Sequence, residues 1–342
     1  MNAHLPAAAE DTLTIGMLNL MLWAAAQHGA DRLALCQRIG VDPAQLADPD
    51  ARVPIRVVQQ LWREAVQATG DEYLDLHLGE ELNFPAIGIL AYVMMHSRTL
   101  GAATEQLCRY QDIVCSGVRL RVQREADEVA LQLELTSPDI IYPKRVINAE
   151  LSAYLTGFRL LTAQAVAPRA VHFAYPAPAN PAEHARIFAP ATLHFGAARS
   201  MLVFEAPTFE LPVLNANPAL FPLFEQHAAA IMDRLRQPSL PARVKSEILR
   251  LLKGAEPTLA AVADGLAMGV RTLQLHLKEA RLSYQQLLDE VRQELAERHL
   301  RDPYLSTADI AFLLGYSEPS VFVRSFKRWT GQTPGAFRRQ LT

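Results

Sequence analysis

Cysteine is scarce in this chain of 342 residues. Cys36, Cys108 and Cys115 are the only three, an odd number with no C-x-x-C pair. That excludes a disulfide scaffold and makes reduced thiols in a cytoplasmic protein the expected state. Long apolar runs are also missing. The longest, residues 86–95, has ten residues, and a bilayer-spanning helix needs about 20. The apolar stretch 15–26 follows Glu10 and Asp11 where a signal peptide carries positive charge, so it reads as a core helix and not as a leader. No G-x-S-x-G, H-E-x-x-H or glycine-rich phosphate loop occurs, so no catalytic residue and no cofactor is expected. Ten histidines are scattered without metal-ligand spacing, with His172 and His194 in strand-like runs 22 positions apart. Structural histidines and no metal are the expectation.

Half of the residues are apolar and a fifth are charged, an ordinary globular balance that leaves no room for a disordered chain. The length suits two domains. Net charge is −3, unevenly spread: residues 1–238 carry 18 Lys/Arg against 25 Asp/Glu (−7), and residues 239–342 carry 15 against 11 (+4). An acidic body with a basic tail is the polarity expected when only the tail meets phosphates.

Apolar residues recur at three-and-four spacing over 30–39, 55–68 and 99–114, which predicts helices. The period then changes. Val118, Leu120 and Val122 alternate with polar residues, as do Val129, Leu131, Leu133 and Leu135, so the acidic segment 125–128 reads as the turn of a β-hairpin. A helix over 145–164 and strands near 170–174, 192–195 and 201–205 follow, in a region punctuated by seven prolines. A helix over 218–236 closes an α+β body. Gln237-Pro238-Ser239-Leu240-Pro241, with two prolines in five residues, reads as a linker. The domain boundary is placed at 238, giving domains 1–238 and 239–342.

Beyond the linker the pattern is helical throughout. A helix over 244–252 ends at Gly254. Leu259, Val262, Ala263 and Leu266 form a short apolar face broken at Met268-Gly269, and a new helix opens at Val270 with Leu273 and Leu277 inward. This is a helix–turn–helix pattern. A long helix over 283–300 follows, and then the pattern returns: a short helix over 307–314, a turn at Gly315-Tyr316, and a helix over 318–329 that ends at Gly331. The expected fold is an α+β N-terminal domain followed by an all-α domain with two helix–turn–helix units joined by a long helix. A connecting helix of about 18 residues spans about 27 Å. That length suits two recognition helices in successive major grooves, about 34 Å apart.

The run from Ala311 to Phe337, AFLLGYSEPSVFVRSFKRWTGQTPGAF, closely resembles the C-terminal signature of the AraC/XylS family of transcription regulators. Met268-Gly269-Val270-Arg271-Thr272-Leu273-Gln274 is similar to the family's first unit. Thr69-Gly70-Asp71 and Ser97-Arg98-Thr99-Leu100-Gly101 resemble the arabinose-binding-like companion domain of one subgroup, a label that does not establish a sugar ligand. The resemblance implies double-stranded DNA and RNA polymerase as partners, a small-molecule effector or a homodimer for the body, and activation as the commoner outcome. The alternatives are a constitutive dimeric regulator and an enzyme with a regulatory DNA-binding tail. Alkyl-transfer repair proteins carry similar units but hold zinc through four cysteines, one more than this chain has.

By resemblance, Arg271, Gln274 and Leu275 face bases, with Thr272 and Lys278 beside them. Arg clasps guanine, Gln clasps adenine and an apolar side chain meets the thymine methyl. The family commonly has arginine where Leu275 and His276 stand, a departure that weakens the first half-site. In the second helix the candidates are Glu318, Ser320, Val321, Arg324, Lys327 and Arg328, with Ser317 as an N-cap aiming the helix at a phosphate. Phe322, Phe326, Trp329, Phe337, Leu273, Leu277, Ala311 and Leu314 are read as core. In the body, Arg109, Arg119, Arg121, Tyr92 and His96 are the polar groups available to an acidic effector, although surface positions are their more frequent use. Cys108 and Cys115 are expected to be buried thiols.

Overall fold

The computed structural model describes residues 10–48, 51–236, 240–252, 256–280, 282–302 and 304–341. The chain divides into two compact units, one of them Glu10–Arg236 and the other containing Gln237–Thr342. Of the proposed linker, Gln237, Pro238 and Ser239 lie outside the described residues, as does the helix stop at Gly254. Leu240 and Pro241 do not continue a linker. They open a helix over Leu240–Leu251, because a first-turn residue has no intrahelical N–H bond for proline to remove.

In the N-terminal unit, strands β1 (Thr12–Thr14) and β2 (Arg52–Pro54) form a short antiparallel pair. Helices α1 (Ile15–Gln27), α2 (Arg32–Ile39), α3 (Ile55–Thr69), α4 (Leu74–Glu80), α5 (Ile89–Met95) and α6 (Leu100–Val114) precede the main sheet. That sheet is built from β3 (Val118–Arg124), β4 (Glu128–Leu135), β5 (Ala170–Phe173), β6 (Thr192–Phe195) and β7 (Ser200–Glu205), in the order β3-β4-β7-β5-β6. All neighbours are antiparallel except β5 and β6. The hairpin read from alternation is present, with Val122 opposite Leu131. Helix α7 (Pro143–Thr162) buries Leu151, Leu155, Phe158 and Leu161; α8 (Ala182–Phe188) and α9 (Phe221–Arg236) complete the unit. Gly101, in the motif shared with the companion domain, sits where a Cβ would lie 3.0 Å from the Phe209 carbonyl oxygen. Close approach of α6 to that backbone is the physical reason for a glycine there.

The C-terminal unit contains α10 (Leu240–Leu251), α11 (Leu259–Gly265), α12 (Val270–Glu279), α13 (Tyr284–Leu300), α14 (Thr307–Leu313), α15 (Pro319–Thr330) and α16 (Pro334–Leu341). One continuous apolar core runs from Val244 and Ile248 through Leu273, Leu277, Leu288 and Ala311 to Phe322 and Phe326. The two helix–turn–helix units, α11–α12 and α14–α15, are therefore held by a common interior and not by a flexible tether. Capping boxes set the helix starts on either side of the second turn's approach: Ser283 with Gln286 opens α13, and Ser306 with Asp309 opens α14.

Candidate nucleic-acid interface

Burial separates the recognition helices into two faces. On α12, Leu273 and Leu277 are buried while Arg271, Thr272, Gln274, Leu275 and Lys278 are exposed. On α15, Phe322, Ser325 and Phe326 are buried while Ser320, Arg324, Lys327 and Arg328 are exposed. Val321 is half-buried against the core, so only part of its side chain is available for contact. Leu314 and Ala311 are fully enclosed, and Trp329 and Phe337 pack on the same core; none of these aromatic rings is a base-stacking platform.

The start of α15 corrects one expectation. Its N-cap is Glu318 (φ −132°, ψ 131°), followed by Pro319 in the first turn, and no side chain caps the helix. Ser317 lies one position too early for that role, because proline's fixed φ suits the first helical position and sets the start there. The Glu318 carboxylate instead accepts from the Ser320 hydroxyl at 3.2 Å.

The cations of α15 differ in availability. Arg328 donates to Asp289 of α13 at 2.8 Å, which ties it to the scaffold. Arg324 and Lys327 have no ion pair among the described residues, and α15 itself contains no carboxylate. On α12, Arg271 and Lys278 are likewise without a protein counter-ion among the described residues, but His276 and Glu279 pair beside Lys278 at 3.1 Å. Unpaired guanidinium and ammonium groups on an exposed helix face are the chemistry that meets phosphates and guanine edges.

One supporting residue escaped the sequence reading. Arg292 of α13 is 3% exposed. Its Nε donates to the Leu314 carbonyl at 3.0 Å, its Nη2 reaches Glu256 at 3.2 Å, and its guanidinium lies 4.2 Å from the centre of the Tyr316 ring. It thereby clasps the turn between α14 and α15. Periodicity assigns such a position to the long helix's polar positions, and only the fold shows that it points inward. Arg338 of α16 does a similar service, donating to the carbonyls of Leu300 and Leu305 at 3.1 and 2.7 Å.

In the N-terminal unit the arginines considered for an acidic ligand are committed elsewhere. Arg109 pairs with Glu225 at 2.7 Å, Arg121 with Glu134 at 3.0 Å, and Arg119 with Asp112. Tyr92 and His96 pack on Phe224. The interior cavity lies elsewhere, between α1, α3, α5, α6 and α7. Two lobes, each of about 80 Å3, share Leu13, Met17, Leu82, Cys115, Val118, Glu150 and Ala153 in their walls. Burial pushes the Cys108 thiol up to about 11 and the Cys115 thiol up to about 12, so both stay protonated and unreactive at neutral pH.

Folding also gathers His28, Asp71 and His77, whose ligand atoms lie within 4.8 Å of one another, a grouping invisible in their sequence spacing. Asp71 Oδ2 is 2.7 Å from His77 Nδ1 and 3.2 Å from His28 Nδ1, and its Oδ1 accepts from the Tyr73 N–H. These three groups could hold a metal ion, yet the carboxylate already has protein partners on both oxygens.

Two family models match the two units separately. A family model described as the arabinose-binding domain of the AraC transcription regulator, N-terminal, matches residues 29–213, and a helix–turn–helix domain model matches residues 262–340. The chain is 31% identical over 331 residues to the ornithine utilization regulator of Pseudomonas aeruginosa, covering 96% of each. It is 27% identical over 316 residues to the HTH-type transcriptional regulator VirS of Mycobacterium tuberculosis, covering 91% of each. A crystal structure of the transcriptional regulator CdpR from Pseudomonas aeruginosa aligns with a TM-score of 0.42 at 22% identity, over 93% of this chain and 98% of that one. No helix among the described residues is long and apolar enough to cross a membrane. The chain belongs to the AraC family of DNA-binding transcription regulators.

Proposed function

We propose that this regulator is an effector-responsive activator whose residues 239–342 contact two successive major grooves and whose residues 1–238 sense a small molecule, dimerise, or both. The observation that carries the reading is the pairing of two helix–turn–helix units on one core, each with an exposed polar face. In the first, Arg271, Thr272, Gln274, Leu275 and Lys278 meet DNA; in the second, Ser320, Arg324 and Lys327 do so, with Ser317, Glu318, Val321 and Arg328 at the edge of the contact. The 17 residues of α13 span about 25 Å, a connection of the right order for helices one DNA turn, about 34 Å, apart. Effector binding acts by favouring the DNA-competent state of the protein, since a ligand shifts an equilibrium only by its differential affinity. The interior cavity supports a small-molecule signal, as does a relative named for ornithine utilization. RNA polymerase and a second copy of the chain are the proposed protein partners, and the cytoplasm, where the DNA is, the place of action. No catalytic step belongs to this reading: the effector is bound stoichiometrically and released unchanged.

The test is genome-wide mapping of bound DNA in the native cell, with Arg324→Ala as control. Discrete peaks that vanish in the variant are expected. A featureless profile for the parent protein across varied growth conditions, or peaks unchanged by the substitution, would overturn the reading.

A further inference from the structure

The cavity of the N-terminal unit is mostly apolar, and of its polar wall groups Gln59 and Gln111 are engaged by backbone, Gln59 Oε1 accepting from the Ile141 and Tyr142 N–H groups and the Gln111 amide bonding the Leu120 N–H and the Cys108 carbonyl. Leu13, Met17, Leu82, Val118 and Ala153 form the waist between its lobes, and Glu150 lies in the wall of both. Tyr154, one helical turn further along α7, lines the second lobe beside Glu150. No arginine, lysine or histidine lines either lobe, and no ion pair involves Glu150 among the described residues. A carboxyl group in an apolar chamber is costly when ionised and unpaired, because water's solvation is lost and nothing replaces it. Burial accordingly pushes the Glu150 carboxyl up from its ordinary value, with the neighbouring Tyr154 hydroxyl opposing that shift.

Packing alone gives no reason for this residue. Leucine or methionine at position 150 would fill the same wall without desolvating a charge. Its neighbours in the cavity wall from α7, Val146, Ala149 and Ala153, are what an ordinary core stripe uses. A ligand cation changes the balance. An ammonium group at the waist supplies the missing counter-ion inside a low-dielectric chamber, where charge-assisted hydrogen bonds are strong. Its apolar body fills the lobes. A carboxylate ligand meets the opposite situation: like charge against Glu150 and no cation to receive it.

We propose that this cavity binds a small, predominantly apolar amine, with Glu150 as the counter-ion of its ammonium group. The proposal rests on the effector-sensing reading and narrows it to a ligand class. It replaces the acidic ligand for which the surface arginines of this unit were considered.

Three probes of equal chain length separate the possibilities: hexylamine, hexanol and hexanoate, titrated into the full-length protein by calorimetry and followed by thermal unfolding. Hexylamine is expected to bind at least tenfold more tightly than either of the others and to raise the unfolding temperature. Glu150→Gln, nearly isosteric, should remove that preference while leaving hexanol binding in place. Ala153→Leu, which fills the waist, should weaken all three. Hexanoate binding as tightly as hexylamine, hexylamine affinity unchanged in Glu150→Gln, or no binding by any probe would overturn the ligand class. The sensing reading is judged separately, by DNA affinity with saturating hexylamine. An amine that binds through Glu150 but leaves DNA affinity and transcription unaltered upholds the site and overturns its role as a sensor.

Discussion

The two helix–turn–helix units follow one plan and are built to different standards. Thr258 and Ser306 cap their first helices 48 positions apart, and the left-handed turn residues Ala267 and Gly315 keep the same offset. The buried pairs Leu273/Leu277 and Phe322/Phe326 are 49 apart, so the second turn is one residue longer after Gly315. That offset places Leu275 opposite Arg324 and Lys278 opposite Lys327. Where the first unit has an apolar side chain, the second has an unpaired guanidinium. The turns differ in the same direction. Gly315 takes its φ of +74° without a Cβ penalty, whereas Ala267 holds φ +54° at a cost of about 1–2 kcal/mol. The second turn is also clasped by Arg292, and Phe337 of α16 packs on Phe326 of α15. The comparison teaches that the second unit is the better braced of the two and presents a cation where the first presents an apolar side chain.

The largest break in that comparison should come from Arg292→Met. It keeps the stem but strips the donors from the Leu314 carbonyl, and should destabilise the domain by about 3 kcal/mol. Hydrogen exchange should rise in α14 and α15 more than in α11 and α12; equal loss of protection would mean that Arg292 supports both units alike. Next comes Arg324→Ala, which should cost about 1–3 kcal/mol on the specific site. An equal loss on random DNA would reassign Arg324 to a phosphate.

Leu275→Arg tests the asymmetry from the other side. It restores the charge at the first unit, and should tighten binding with a salt dependence steeper by about one unit of slope. If affinity and salt slope stay as they are, the first helix does not approach the DNA backbone at this position. The smallest effect is Ala267→Gly. Relief of the left-handed strain, less the added chain entropy, should raise stability by about 0.5 kcal/mol. Gly315→Ala should lower stability by about 1 kcal/mol in the same thermal unfolding measurement.

Much of this was legible in the sequence, for reasons that differ by element. Helix α13 and the hairpin β3–β4 announce themselves because their apolar periods run long enough to be unambiguous. The seven-residue helices α4, α5 and α8 and the three-residue strands β1 and β2 do not, since two turns of helix contain too few repeats to show a period; α11 and α14 are as short but legible beside the turns at Met268-Gly269 and Gly315-Tyr316 that end them. Pro241 reads as a helix breaker in sequence, and only its place in the first turn of α10 makes it harmless. Ser317 reads as a cap until Pro319 fixes the helix start one residue later.

By itself the sequence determined the two-part fold and the exposed faces of both recognition helices, because patterning acts over a few residues and leaves a local trace, while the family followed from the resemblance of residues 268–274 and 311–337. The tertiary structure decided what no local trace carries. Arg292 and Glu150 are both polar positions on long helices, and nothing in their spacing distinguishes them from surface residues. Folding closes the first onto a turn 22 residues away and the second into an apolar cavity. Their chemistry follows from desolvation and from the partners brought to them, which exist only once distant segments have met.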